Sequence, residues 1–242
     1  MDAAFQIMRA HYPQFIMCSA IAYAPWLIAE VLLESNPVLM ASIGPEVAVF
    51  AGLGIWLVFA LMSAVLIVCA SQAYLGDPVD VGAAVRKALP RMPLVLVGAI
   101  VRYIGMFVGL FFFLIGGIYV AARWFAVTPL VVLERRGLGA ALSRSGDLSK
   151  GQKRHIVNTI GLAAVIYWVL ALGLQFAAVF LLRNLILQAV ARAVFTILVY
   201  PVVAITEALL YFDTRIKKEG FDIEMMTSAL DGGGVVGEPA AP

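Results

Sequence analysis

The stretch VAVFAGLGIWLVFALMSAVLIVCASQAYLG, residues 47–76, contains no charged side chain. A second stretch, IVNTIGLAAVIYWVLALGLQFAAVFLL at 156–182, is equally free of charge. About 20 consecutive apolar residues cross the hydrocarbon of a bilayer as a helix, and both runs are longer than that. The rest of the chain has the same character: 63% of its residues are hydrophobic and only 13% charged, with a mean hydropathy of +0.97. Soluble domains carry about a quarter of charged residues, and a 26.0 kDa globule has no interior large enough for this much apolar surface. A soluble enzyme, a secreted disulfide scaffold and a disordered chain are excluded. The sequence describes an all-α, polytopic membrane protein.

Working outward from the two runs, six apolar spans are predicted, at 14–33, 47–75, 93–115, 117–133, 156–182 and 185–212. Continuous runs rich in Leu, Ala and Phe satisfy their backbone groups as helices rather than as barrel strands. The segment 93–133 is too long for one crossing, and Gly116-Gly117 is the predicted break; one tilted helix is the alternative. Ala22-Tyr23-Ala24 resembles a cleavage site, but Pro25 follows it and no compact basic region precedes the first span, so an uncleaved signal anchor is expected. Pro25, Pro129 and Pro201 each interrupt a span and free a carbonyl.

Lys and Arg accumulate in the cytoplasmic connections of membrane proteins. Thirteen of the seventeen basic residues fall on one side of the six-span arrangement: Arg9; Arg86, Lys87 and Arg91; Arg135, Arg136, Arg144, Lys150, Lys153 and Arg154; Arg215, Lys217 and Lys218. Only Arg183 falls in an opposite connection, and Arg102, Arg123 and Arg192 lie within spans. Both termini are therefore expected in the cytoplasm. Residues 1–230 form the membrane domain and the Gly-rich end at 231–242 a flexible cytoplasmic tail.

Two connections carry helical patterns. Asp77-Pro78 offers a cap and a first-turn proline, after which Val81, Val85 and Leu89 share one face of a helix over 78–91. In 138–149, Leu138, Ala141, Leu142 and Ser145 face one way and Arg144 and Asp147 the other. Both are read as helices in the membrane interface, with solvated loops as the alternative. Ala83-Ala84-Val85 recurs 57 residues later at Ala140-Ala141-Leu142 and 80 residues earlier at Ala3-Ala4-Phe5, and the second shift maps Pro13 onto Pro93. This suggests three units, each an interfacial helix followed by a transmembrane hairpin, although alanine pairs also recur without any repeat.

The stretch Arg123-Trp124 through Thr128-Pro129-Leu130-Val131-Val132-Leu133-Glu134, then Ala140-Ala141-Leu142-Ser143-Arg144-Ser145 and Gly151, resembles the membrane domain found with some glycerophosphoryl diester phosphodiesterases. The segment Leu210-Tyr211-Phe212-Asp213-Thr214-Arg215, followed by Lys218-Glu219-Gly220-Phe221-Asp222, is similar to the end of the same bacterial family, to which YciC-like proteins are related. The resemblance runs from about Arg123 to Glu224. It implies a multispanning protein that stands alone or is fused to a catalytic barrel, and it carries over no functional residues. These 242 residues hold no His-Arg-Gly triplet and no room for a barrel of about 250 residues beside the spans. Catalytic activity is not expected, nor is any cofactor or metal.

The remaining motifs have structural readings. Cys18 and Cys69 lie in apolar segments without metal-ligand spacing and read as small buried residues. Ser143 and Ser145 have no base nearby in sequence and are assigned to the surface of the interfacial helix. Gly105 and Gly109 form a GxxxG suited to packing within the bundle or to dimerisation. The sharpest feature is the intramembrane charge set Glu30, Arg102, Arg123, Arg192 and Glu207. Such charges face a bundle interior and find partners, or mark a site. Depth along the spans pairs Arg102 with Glu207 and Glu30 with Arg192. It leaves Arg123 near the midplane as the foremost ligand-contact candidate, with Arg102 and Arg192 as further candidates for an anionic solute or headgroup. The expected function is a non-enzymatic scaffold or accessory factor in envelope or lipid processes; a small permease or lipid-handling protein is the alternative. Expected partners are membrane lipids, anionic headgroups at the basic rim and a membrane protein, not nucleic acid.

Overall fold

A computed structural model describes residues 2–36, 38, 44–112 and 114–219, so the tail at 231–242 and the resemblance beyond Glu219 lie outside it. All secondary structure among the described residues is helical. In chain order the helices are α1 (Asp2–Ala10), α2 (Tyr12–Glu34), α3 (Pro45–Leu75), α4 (Val81–Ala88), α5 (Met92–Phe112), α6 (Leu114–Arg123), α7 (Val127–Val132), α8 (Leu138–Ser149), α9 (Lys153–Leu181) and α10 (Leu185–Glu219), with a 3₁₀ turn at Leu89–Arg91. Five stretches are long and apolar enough to cross a membrane: Tyr12–Glu34, Gly54–Leu75, Val81–Phe111, Lys153–Leu181 and Leu185–Glu219. The protein is a helical membrane protein.

The run predicted at 117–133 is two short helices, α6 and α7, separated at residues 124–126. The predicted break at Gly116-Gly117 is also displaced: both glycines lie inside α6, and α5 ends at Phe112. Their role is close approach. A Cβ on Gly109 would sit 2.6 Å from the Gly116 carbonyl carbon, and one on Gly105 would sit 2.5 Å from the Trp124 ring. The GxxxG therefore packs α5 against α6 within the chain.

Local chemistry sets the ends of the helices. α3 stops in a Schellman motif, with Gly76 at φ +80, its N–H donating to Ala73 and the Asp77 N–H donating to Gln72. The cap of α4 is Asp80, whose carboxylate accepts from the Ala83 N–H at 3.0 Å, rather than Asp77. The buried face of α4 is Val81, Ala84 and Ala88, while Leu89 is 58% exposed. The predicted stripe of Val81, Val85 and Leu89 is thus rotated, because the small residues admit closer packing on α3. Helix α8 forms over the predicted residues and buries Ala141, Ser145, Gly146, Leu148 and Ser149 against its neighbours. Ala84 and Ala141, related by the internal shift, are both fully buried. Asn184 caps α10 by accepting from the N–H groups of Ile186 and Leu187.

The tightly packed core lies toward one end of the bundle. It joins Phe15 and Cys18 of α2, Met62 to Ala70 of α3, all of α7, and Ala204 to Phe212 of α10. This basic end of the bundle also carries α4, α8 and the connections rich in Lys and Arg. Elsewhere the surface is apolar: Phe107, Phe111, Phe176, Phe180 and Leu181 are each at least 65% exposed. In water such a surface would drive aggregation, whereas hydrocarbon tails solvate it.

Candidate functional site

Three charged groupings hold the bundle together. In the first, the Arg102 Nη1 of α5 lies 3.5 Å from the Glu207 Oε1 of α10, with both side chains largely buried. The Arg102 guanidinium also lies 5.4 Å from the centre of the Tyr103 ring.

In the second, at the far end from the basic connections, the Arg192 Nη2 of α10 donates to Glu30 at 2.5 Å and to Glu34 at 3.3 Å, both on α2. Sequence reasoning missed Glu34. Its i+4 spacing from Glu30 is the available signal, since that spacing puts both carboxylates on one face.

The third grouping centres on Glu134, in the connection after α7. Its Oε1 accepts from the Tyr211 hydroxyl at 2.7 Å and from the Arg144 Nη2 at 3.2 Å, and its Oε2 accepts from the Arg136 Nε at 2.5 Å. Arg144 reaches on to Glu219 at 2.9 Å, and Arg215 meets the same carboxylate at 3.1 Å. The chain turns sharply here: Arg135 takes φ +53, and the Arg136 N–H donates to the Leu130 carbonyl at 3.3 Å. Burial alone would raise the Glu134 carboxyl, but the hydrogen bonds from Arg136, Tyr211 and Arg144 outweigh it and hold it below the usual range. Burial works against the Arg144 charge, and Glu134 and Glu219 together more than restore it. Nothing in the chemistry or spacing of these residues singles them out along the chain.

Arg123, expected near the midplane without an acid, stands at a helix end. It ends α6, is exposed, and lays its guanidinium on Gly146 of α8, where an added Cβ would meet it at 3.4–3.5 Å. Tyr119 is one turn back on α6, and the Lys153 ammonium sits 3.8 Å from the centre of its ring. The break after Arg123 lets α8 pack beside α6. Irregular backbone at membrane depth needs internal partners, and Ser145 supplies both: its hydroxyl donates to the Arg123 carbonyl at 2.9 Å and accepts from the Ala126 N–H at 3.1 Å. Ser145 is thus a buried structural group rather than a surface residue of the interfacial helix.

Two cavities flank these groupings, and Arg102, Arg123 and Arg192 line neither. One, of about 700 Å³, is an apolar groove between the α1–α2 junction, α9 and α10. The other is a polar hollow at the start of α9, lined by Arg154, His155, Asn158 and Lys217 among others. His155 and Lys217 there both contact Asp213, at 3.2 and 2.7 Å. Elsewhere in the bundle, the Cys18 and Cys69 sulfurs face each other at 3.2 Å. Comparison with family models, curated proteins and solved structures gives no match for this chain.

Proposed function

We propose that this chain is a non-enzymatic protein of the bacterial inner membrane, acting as a scaffold or accessory factor in an envelope or lipid process. In this reading the broken run α6–α7 returns the chain to the basic end. The whole then makes six passages in three pairs, each preceded by a short helix (α1, α4 or α8), with both termini in the cytoplasm. The observation that carries the proposal is the neutralisation of two arginines within the long apolar helices by acids of the same chain: Arg102 by Glu207, and Arg192 by Glu30 and Glu34. Paired charges of this kind fix helices relative to one another and leave neither arginine free to draw an anion through the bundle. The basic rim attracts anionic headgroups at about 1 kcal/mol per Lys or Arg near the surface.

Affinity purification in native lipid, with mass spectrometry of what co-purifies, tests the role. A stoichiometric membrane-protein partner supports the scaffold; concentrative uptake of a solute by proteoliposomes of the pure chain contradicts it. Reporter fusions test the topology. Fusions after Leu75 and Arg136 should report cytoplasm, and fusions after Ser35 and Arg183 the opposite side. A signal from the opposite side at Arg136 would contradict six passages.

A second reading has one observation in its favour. Arg123 has no carboxylate within salt-bridge distance among the described residues and stands beside Lys153 and Tyr119, an arrangement suited to a phosphate or carboxylate headgroup. In that case the chain handles lipid, and Arg123→Gln should abolish headgroup selectivity while leaving the fold intact.

A further inference from the structure

The groove between α1, α9 and α10 is separate from all three charged groupings. Its walls are Tyr167 and Leu170 of α9 and Val199 and Val203 of α10, and its end is closed by Arg9 and Tyr12 at the α1–α2 junction. The Tyr167 ring is held by Phe195 and Tyr200, with ring centroids 5.7 and 6.0 Å away, so the wall is built rather than collapsed. At about 700 Å³ it falls within the range of about 300–1,000 Å³ typical of small-molecule sites.

Its charge is one-sided. Arg9 is the only charged residue of the lining, and no carboxylate among the described residues comes within salt-bridge distance of it. Arg9 precedes the first turn of α2, whose other end carries Glu30 and Glu34, so it stands where a bilayer places its headgroups. The Tyr12 hydroxyl adds a donor beside it, 38% of that residue being exposed. An apolar trough ending in one such guanidinium is complementary to an amphiphile with an anionic head.

We propose that this groove is a binding site for one anionic phospholipid, with an acyl chain along α9 and α10 and its phosphate on Arg9 and Tyr12. The site rests on the chain's being embedded in a bilayer and not on the scaffold role, so it stands or falls separately. Native mass spectrometry of the full chain from nanodiscs of equimolar phosphatidylglycerol and phosphatidylcholine tests it. The expected result is one phosphatidylglycerol retained per chain after the other lipids are stripped. Arg9→Gln should lower the preference for phosphatidylglycerol roughly fivefold, the factor equivalent to about 1 kcal/mol per basic residue at an anionic surface, and Arg9→Lys should restore most of it. Val199→Trp, or the milder Leu170→Phe if the first does not fold, should fill the trough and remove the retained lipid. An unchanged lipid preference in Arg9→Gln would overturn the proposal, as would equal retention in the filled variants. So would a dimer, free of retained lipid, that the filled variants dissociate, since the groove would then receive a second copy of the chain.

Discussion

The Ser145 hydroxyl donates to the Arg123 carbonyl at 2.9 Å, and the same oxygen accepts from the Ala126 N–H. One side chain of α8 thereby supplies both halves of the hydrogen bonding that the backbone loses where α6 ends. Phe125 and Ala126, inside the break, are 1% and 0% exposed, so water cannot take the place of Ser145.

Ser145→Ala should therefore behave as the loss of a buried polar partner rather than as a surface change. Leaving a buried donor or acceptor unsatisfied costs about 1–3 kcal/mol. Thermal unfolding in detergent should show that loss, whereas Ser143→Ala, on the exposed side of the same helix, should be near neutral. Equal effects at the two serines would contradict the bridging role.

The Glu134 network predicts an acid dependence of definite sign. The folded carboxyl sits below its ordinary value of 4.5. Its contribution is therefore fully present above that value and is lost as pH falls through the lowered folded value. Stability measured from about pH 6 down to about pH 3 should fall in the lower part of that window. Glu134→Gln should start less stable by about 1.5–3 kcal/mol, the range for hydrogen bonds to a charged group, and should show a shallower decline. An identical acid profile in the variant would show that other carboxylates govern the transition.

The apolar runs, their helical nature and the position of α8 are legible in the sequence because length and hydropathy act along the chain. The partner of Arg192 is legible in part: Glu30 lies at a matching depth, while Glu34 emerges only once the helix is seen to turn both carboxylates to the same side. The Glu134 network is not legible, since its members lie at 134, 136, 144, 211, 215 and 219 and only the tertiary fold brings the three stretches together. The break between the third and fourth runs is misplaced for a physical reason. A glycine pair marks either a turn or a close helix contact, and sequence alone does not separate them. The contact between Gly109 and Gly116 assigns this pair to packing.

The packing of α2 on α3 has its own test. The Cys18 and Cys69 sulfurs, 3.2 Å apart, need only a small closure to reach the disulfide distance of about 2.05 Å. A membrane-permeant thiol oxidant should form this intramolecular bond in membranes, and Cys18→Ser should prevent it. Two thiols that both remain alkylatable after the treatment would contradict the contact.

The central claim, that the enclosed arginines are neutralised by the bundle itself, is tested most directly by a double-mutant cycle at Arg102 and Glu207. Removing one member of a buried pair strands the other charge and costs about 3–5 kcal/mol. Glu207→Gln should lower stability by that order, and adding Arg102→Gln should recover much of the loss. A double variant no more stable than the worse single variant would mean that the two charges are not coupled and that they serve a cavity instead.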